Sequence, residues 1–197
     1  MRQAVDTDVA DHAITLSDER LLLRAFRAED DEVIYQAVRE SMAELGQWLS
    51  WCHGAYSIED TRQFLAGRGD AFRDEGEHGF AIFERANGRF VGATGINQLD
   101  SAALRANLGY WLRTSATGQG FASRATKIVA RWALGSFGLE RVEIVAAVGN
   151  CASQRVAERV GATRETVARK RLRVHGVQHD AVVYSLTRED VQRWTAP

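Results

Sequence analysis

Two glycines stand where a predicted strand passes into a predicted helix, and their position suits the binding of an anion. The segment reads GYWLRTSATGQGFASRA over residues 109–125, with Gly118-Gln119-Gly120 at the change of structure. Backbone N–H groups at the start of a helix are unpaired and lie at the positive end of the helix dipole, so phosphate binds well there. Glycine also lets a bulky group approach the main chain. The pattern predicts a phosphate site, with a tight turn that binds nothing as the alternative.

Two common phosphate loops do not fit this segment. A dinucleotide-binding loop needs a third glycine, a preceding parallel strand and an acidic residue about 20 positions later, and none of these is evident. A nucleotide-triphosphate loop needs Gly-Lys-Ser/Thr, whereas Gly120 is followed by Phe121. The phosphate site, if present, is of another kind.

The elements around this loop alternate in a way that is typical of one α+β domain. Strands are predicted at 21–23, in a hairpin over 78–99 turning at Asn87-Gly88, at 104–112 and 141–148, and in a hairpin over 166–186 turning at His175-Gly176. Helices are predicted at 28–42, from a capping box at Ser57 to about 74, at 121–137 ending at Gly138, and at 153–160 ending at Gly161. We expect a mixed, mostly antiparallel sheet of about six to seven strands flanked by helices. The domain would cover 17–190, between a mobile acidic tail at 1–16 and a C-terminal tail at 191–197.

Composition argues against several classes of protein. The net charge is −1, which gives no general attraction to nucleic acid or to an anionic membrane. No apolar run approaches the ~18 residues of a membrane span, and the first residues lack the features of a signal peptide. Cys52 and Cys151 are far apart with no metal-binding spacing, so we expect free thiols, no metal and a cytoplasmic protein.

Several segments, taken in order, resemble the GNAT family of acyltransferases. Residues 117–122, TGQGFA, resemble its phosphate-binding motif Q/R-x-x-G-x-G/A, and NCAS at 150–153 followed by Val160-Gly161 resembles its N-x-x-S…G-F signature. Residues 39–51, RESMAELGQWLSW, look like the tryptophan-bearing segment of the RimJ/RimL-like branch, the ribosomal-protein N-terminal acetyltransferases. The resemblance covers about residues 17–190. The chain departs from the pattern at Thr117, where Gln or Arg is usual, and at Ala162, where Phe is usual.

The resemblance implies an enzyme that moves an acetyl group from acetyl-coenzyme A directly to an amine, with no covalent enzyme intermediate. It implies coenzyme contacts from Tyr110, Trp111, Leu112, Thr117, Gly118, Gln119, Gly120, Phe121, Ala122, Asn150 and Ser153. Ser153 is also the family-like position for a general acid or partner of the leaving thiolate. A plain helix N-cap remains the alternative for Ser153.

The general base is harder to identify. Members of this branch commonly carry Glu in the strand before the GYW segment, where this chain has Asn107, and an asparagine cannot take a proton near neutral pH. Glu40, Glu44 and His53 are weak base candidates, with surface or structural roles as the alternative. Trp48, Trp51 and Tyr56 either fill the core or form the wall of an acceptor pocket. Because the resembled family places this segment beside the acceptor, the pocket would be formed by these three residues together with Asn97.

The identity of the acceptor amine is not fixed by the sequence, and several acceptors are compatible with it. We expect the N-terminal α-amine of a protein, with a small amine such as an antibiotic or polyamine as the alternative. A coenzyme-A-binding regulatory protein without catalysis is the rival of another class. The basic run over 164–173 is either a solvated surface or a site for an acidic protein partner or coenzyme phosphate; on a regular strand Arg169, Arg171 and Arg173 share one face. The sequence is compatible with a homodimer.

Overall fold

The computed structural model of the protein describes residues 14–67 and 77–194, which form eight strands and six helices. The strands are β1 (Thr15–Ser17), β2 (Leu21–Arg24), β3 (His78–Glu84), β4 (Phe90–Asp100), β5 (Arg105–Leu112), β6 (Arg141–Ala147), β7 (Thr163–Val174) and β8 (Val177–Thr187). The helices are α1 (Asp31–Glu40), α2 (Met42–Leu45), α3 (Ile58–Ala66), α4 (Phe121–Leu134), α5 (Cys151–Arg159) and α6 (Arg188–Arg193). Short 3-10 turns at Ala28–Asp30 and Thr114–Ala116 precede α1 and the loop before α4.

All eight strands lie in one sheet, in the order β1-β2-β3-β4-β5-β6-β8-β7. Neighbouring strands are antiparallel except β5 and β6. These two pair only between 105–107 and 141–143, at the start of each strand. Beyond Asn107 the two strands separate. From Leu108 onward the main chain of β5 therefore pairs with β4 on one side and faces a gap in the sheet on the β6 side.

Helices cover both faces of the sheet because each face carries apolar side chains. On one face, Phe121, Ala125 and Val129 of α4 pack in a core with Ala106 and Leu108 of β5. On the other face, apolar side chains of α1 pack with those of β3 and β4; the buried members include Ile34, Val38, Ala81 and Phe90. The gap between β5 and β6 therefore opens between two helical layers.

Local signals account for most of the elements. The Ser57 Oγ accepts the Asp60 N–H at 3.4 Å while an Asp60 carboxylate oxygen accepts the Ser57 N–H at 2.7 Å, which confirms the predicted capping box at the start of α3. The predicted hairpin turn at Asn87-Gly88 joins β3 and β4, with Gly88 at φ +70°. The α+β class and the mostly antiparallel sheet are confirmed.

The structure differs from the prediction at the ends of several elements and at both predicted tails. It adds β1, which makes eight strands rather than six or seven and begins inside the predicted tail 1–16; residues 1–13 lie outside the described part. Helix α4 ends at Leu134 rather than at 137, because Gly135, not Gly138, follows its last turn. The predicted extension of α3 to residue 74 falls largely on residues 68–76, outside the described part. Trp194, placed in the C-terminal tail, packs on the core and donates its Nε1–H to Val160 O at 2.9 Å.

The basic run lies on β7, an edge strand whose side chains are mostly exposed. Its pairing with β8 shifts register between Ala168 and Leu172, and Lys170 has φ +51°. This bulge interrupts the two-residue alternation, so Arg169, Arg171 and Arg173 do not form the single regular face that an unbroken strand would give.

Candidate active site

The predicted phosphate loop is an open turn at the start of α4. Gly118 and Gly120 have φ of +73° and +80°, a backbone region that residues other than glycine rarely adopt. No atom lies within 4 Å of the position that a Cβ would take on either residue. The first backbone hydrogen bond of α4 runs from Arg124 N–H to Gly120 O at 3.1 Å. Because the N–H groups that precede it at a helix start have no intrahelical acceptor, this opening is suited to an anion.

The side chains of the loop turn back onto the preceding 3-10 turn. The Thr117 hydroxyl donates to Thr114 O at 2.8 Å, and Gln119 Nε2 donates to Ser115 O at 3.0 Å. Phe121 is fully buried, so only its main chain is free to meet a ligand. Pyrophosphate recognition here would therefore depend on main-chain N–H groups. The departure at Thr117, where the family usually has Gln or Arg, leaves these N–H groups in place.

Residues at the C-terminal end of α1 form hydrogen bonds with the segment that precedes this loop. Arg113 donates to the Glu40 carboxylate through Nε at 2.9 Å and also through a terminal nitrogen, and the Ser115 N–H donates to the same carboxylate at 2.7 Å. Ser41 Oγ accepts the Thr114 N–H at 2.8 Å. The hydrogen bonds from Arg113 lower the pKa of Glu40 to about 2. A carboxylate held in this way is a poor proton acceptor, so the geometry gives Glu40 a structural role instead of the predicted one as base.

We expect Glu40→Gln to lower the free energy of unfolding at pH 7 by about 1–2 kcal/mol, since the side chain keeps 29% of its surface exposed and water screens the pair. The folded-state pKa lies below the ordinary 4.5, so this contribution is complete above pH 4.5 and disappears as the pH falls toward 2. Urea unfolding across that range measures it. The exposed Glu29→Gln is the control, and equal losses for both variants would contradict the role of Glu40.

The gap between β5 and β6 brings together three of the predicted coenzyme contacts. The Tyr110 hydroxyl lies 3.0 Å from both Ser153 Oγ and Ser153 O. Asn150 is the N-cap of α5, and its Oδ1 accepts the Ser153 N–H at 3.0 Å, so the N-cap alternative for Ser153 is wrong. Burial raises the pKa of Tyr110 to about 12, which keeps its phenol protonated at neutral pH.

A cavity of about 210 Å³ opens on the α1–α3 face of the sheet, beside the β5 edge. Its floor is a row of three glycines, since Gly79 of β3 pairs with Gly95 of β4, and Gly95 pairs with Gly109 of β5. Its aromatic and aliphatic walls are Phe26, Leu49, Trp51, Phe64 and Trp111, and its polar end carries Glu77 and Asn97. The row of missing side chains makes room for a ligand that reaches the gap at Gly109.

The structure separates the residues predicted to contact the acceptor. Trp51 and Asn97 line the cavity, and the Trp51 ring lies 5.8 Å from that of Trp111. The Trp48 ring instead lies over the β6–α5 turn, where a Cβ on Gly149 would be 3.1 Å from it. Tyr56 is buried in the core below α1, and its hydroxyl is 2.8 Å from Thr61 Oγ1; its ring packs 6.0 Å from that of Trp51 but does not line the cavity.

The two remaining base candidates also lie outside this cavity. Glu44 is exposed and accepts the Thr114 hydroxyl at 3.2 Å. His53 is exposed and lines a separate open cleft with Arg39 and His175. No local sequence signature marks Glu77 or the glycine row, because only the register of β3, β4 and β5 brings these residues together.

The open sheet has a gap between two parallel strands and an open turn at a helix start beside it, an arrangement suited to an extended ligand that carries phosphate. The Acetyltransferase (GNAT) domain family matches residues 20–163. The chain therefore belongs to the GNAT family of acetyltransferases and is an acetyl-coenzyme A-dependent N-acetyltransferase, as the sequence analysis predicted.

Known relatives agree with this assignment. The ribosomal-protein-serine acetyltransferase of Escherichia coli (strain K12) is 30% identical over 143 residues, which is 73% of this chain and 79% of that protein. A ribosomal alpha-N-protein acetyltransferase solved in complex with coenzyme A is 26% identical, with a TM-score of 0.81 over 88% of this chain and 98% of that one. An acetyl transferase from Salmonella typhimurium that modifies the N-terminal serine of a 50S ribosomal protein is 27% identical, with a TM-score of 0.76 over 86% and 96%.

These relatives support the RimJ/RimL-like branch and acetyl-coenzyme A as the acyl donor. The open turn at Gly118 and Gly120 fits the pyrophosphate, and the free β5 edge fits the amide-rich pantetheine arm. Among the described residues, no cluster of three or more His, Cys, Asp or Glu side chains could hold a metal ion. Within that same part of the chain, no helix has the length and apolar character needed to cross a bilayer.

Proposed function

We propose that this enzyme acetylates the N-terminal α-amine of a protein. The observation that carries the proposal is the cavity floor made by Gly79, Gly95 and Gly109. Because the three strands carry glycine at adjacent positions, no side chains rise from this part of the sheet. The result is a flat surface on which the extended main chain of a peptide can lie. The row ends at the β5 edge, next to the gap in which the thioester would sit, so the first residue of such a chain would bring its amine to the reacting carbon.

The energetics of deprotonation favour an α-amine over a lysine side chain. The ordinary pKa is about 7.8 for an α-amine and about 10.4 for lysine, so an α-amine is easier to deprotonate by about 3.5 kcal/mol. Asn107 supplies no proton acceptor beside the gap. A site of this kind is better matched to an amine that is already partly neutral at pH 7.

The properties of the relatives and of β7 support a protein acceptor that carries negative charge. Two relatives are described as acting on a ribosomal protein, at serine. The edge strand β7 exposes several basic side chains, including Arg164, Arg169, Lys170 and Arg171. An exposed basic strand attracts an acidic partner over a distance that falls as salt rises.

A panel of acceptors tests the proposal. Octapeptides beginning with Ser, Ala or Thr, each with an acidic and a neutral body, are compared with N-acetylated versions, with the same peptides carrying one lysine, and with polyamines and aminoglycosides. We expect acetylation at the α-amine, a preference for the acidic bodies that weakens as salt rises, and slow reaction of lysine. Faster turnover of a small amine than of every peptide would contradict a protein acceptor.

We further propose that the Ser153 hydroxyl stabilises the leaving thiolate. The Tyr110 phenol has one proton, which it can donate to Ser153 O or to Ser153 Oγ; when it donates to Oγ, the serine proton is left to point to the sulfur. We expect Ser153→Ala to lower kcat about 100-fold with unchanged affinity for coenzyme A. Tyr110→Phe should have a smaller effect, and the double variant should be no slower than Ser153→Ala. A loss below about threefold for Ser153→Ala would contradict this role.

A further inference from the structure

A pair of asparagines on β4 and β5 lies beside the end of the glycine floor. Asn97 and Asn107 are direct partners in the β4–β5 register, and the next pair on the same side of the sheet is Gly95 and Gly109. Asn97 lines the cavity, and its Nδ2 lies 3.6 Å from the position that a Cβ on Gly109 would take. The Asn97 amide nitrogen therefore stands above the part of the floor that is nearest the gap.

One hydrogen bond fixes which end of the Asn97 amide faces the cavity. Asn107 Nδ2 donates to Asn97 Oδ1 at 2.9 Å. This bond occupies the oxygen of Asn97 and leaves its Nδ2 over Gly109, where that nitrogen donates to no acceptor among the described residues. An amide NH₂ group donates hydrogen bonds and does not accept them. The cavity therefore presents a hydrogen-bond donor at this point.

The opposite orientation of the two amides is less favourable. Asn107 Oδ1 is buried and receives no hydrogen bond from the described residues. Turning both amides would put the NH₂ group of Asn107 in this buried place, so that two N–H bonds would lack an acceptor instead of one oxygen lacking a donor. Unpaired buried N–H groups are rarer in proteins than unpaired buried carbonyl oxygens. The burial of Asn107 thus holds Asn97 with its donor toward the cavity.

On the basis of the proposed function, we infer that Asn97 Nδ2 donates a hydrogen bond to the carbonyl oxygen of the acceptor's first residue, and that Asn107 positions it. In a peptide this oxygen lies about 3 Å from the α-amine nitrogen. An amine at the gap therefore brings the oxygen over Gly109, within hydrogen-bond reach of Asn97 Nδ2. A lysine side chain or a polyamine carries no carbonyl oxygen at this distance from its amine, so the contact selects the N-terminus of a peptide.

The carbonyl oxygen of the acetyl group is the other oxygen that a donor at this point reaches. The two possibilities differ in a way that kinetics can measure. The acetyl carbonyl is present with every acceptor, so losing its donor slows all acceptors equally. The peptide carbonyl belongs to the acceptor, so losing its donor slows only the acceptors that carry it.

The test compares serinamide with serinol, two small amines that share an amino alcohol group and differ in the carbonyl. For each enzyme, kcat/KM for serinamide is divided by kcat/KM for serinol at one pH. The different amine pKa values of the two acceptors cancel when this ratio is compared between enzymes. We expect Asn97→Leu, which removes the donor at little change in size, to lower the ratio about tenfold, mainly through KM for serinamide. The octapeptide that begins with Ser should lose the same factor in kcat/KM.

Asn107→Asp tests the positioning role. A carboxylate accepts hydrogen bonds and does not donate them, so the Asn97 amide would turn its Nδ2 toward residue 107 and its oxygen toward the cavity. We expect the ratio to fall as far as in Asn97→Leu, although Asn97 is still present. A merely structural role of Asn107 would lower the melting temperature and leave the ratio unchanged. Gln36→Leu, which removes an exposed amide on α1, is the control and should match the wild type.

Three results would count against the inference. A change of less than threefold in the ratio for Asn97→Leu would overturn it, and equal losses on both acceptors would assign Asn97 to the acetyl carbonyl instead. An unchanged ratio in Asn107→Asp would overturn the role of Asn107. If Asn97→Leu does not fold, the double variant Asn97→Leu/Asn107→Leu, which leaves neither amide unpaired, supplies the same measurement.

The proposed protein acceptor is judged separately, from the wild-type enzyme on peptides. If serinol reacts faster than every peptide while the ratio still falls in Asn97→Leu, the protein acceptor fails and Asn97 remains a donor to a carbonyl group. If peptides react well and the ratio does not change, the inference fails alone. Should neither small amine react, the same ratio is measured for the Ser octapeptide against its analogue with CH₂ in place of the first carbonyl group.

Discussion

Replacing Gly120 with aspartate is expected to weaken coenzyme A binding about 100-fold or more, whereas asparagine at the same position weakens it only a few-fold. Gly120 has φ +80° and open space where a Cβ would stand. Asn and Asp tolerate this backbone region better than other side chains, so both variants should fold. They have nearly the same shape and differ in charge.

The expected size of the effect follows from Coulomb's law. A carboxylate about 5 Å from one phosphate charge, at an effective dielectric constant of about 20, costs about 3 kcal/mol, or a factor of about 100 in affinity. The pyrophosphate carries more than one charge, and salt screening acts in the other direction. Titration calorimetry of the two variants with coenzyme A measures the difference.

The comparison has a clear contradictory outcome. Equal affinity of the aspartate and asparagine variants would mean that no phosphate group lies at this loop. Melting temperatures without ligand should agree for the two variants, and this control separates lost binding from lost folding. A fall in affinity that is absent with a pantetheine fragment lacking phosphate would locate the effect at the pyrophosphate.

The second large effect is expected in the glycine floor of the cavity. A Cβ on Gly95 would stand 2.3 Å from His78 O and 2.8 Å from the Cα of Gly79, both on the neighbouring strand. Main-chain atoms cannot move away without breaking the β3–β4 pairing. We expect Gly95→Ala to destabilise the protein by about 3 kcal/mol or more, which lowers the melting temperature by about 6–12 °C at this chain length.

Gly109→Ala is the matched comparison on the next strand. Its Cβ would lie 3.6 Å from Asn97 Nδ2 and 3.9 Å from Asn107 Nδ2, which are ordinary contacts. We expect a stability change below about 1 kcal/mol, together with a roughly tenfold rise in KM for the peptide, because the new methyl group stands in the cavity floor. An unchanged KM would mean that the acceptor does not lie over Gly109, and equal melting temperatures for the two variants would contradict the described strand contact.

Features set by neighbouring residues were predictable from the chain. The Ser57 capping box, the Asn87-Gly88 hairpin and the Gly118-Gln119-Gly120 turn each depend on residues within a few positions, so their signals are local. The same holds for the motif order that identified the family. Element ends were less predictable: α4 stops at Gly135 rather than Gly138, since either glycine could follow the last turn.

The amino-acid sequence by itself determined the α+β class, the open turn at Gly118-Gln119-Gly120 and the use of acetyl-coenzyme A, because each is carried by short segments. Only the tertiary structure decided the surroundings of the cavity proposed for the acceptor. Glu40 accepts hydrogen bonds from Arg113, which lies 73 positions later in the chain, and these bonds engage its carboxylate in holding the loop. Gly79, Gly95 and Gly109 form one floor, with Glu77 at its end, only through the register of three strands. Contacts of this length depend on how the whole sheet pairs, and no local pattern encodes them.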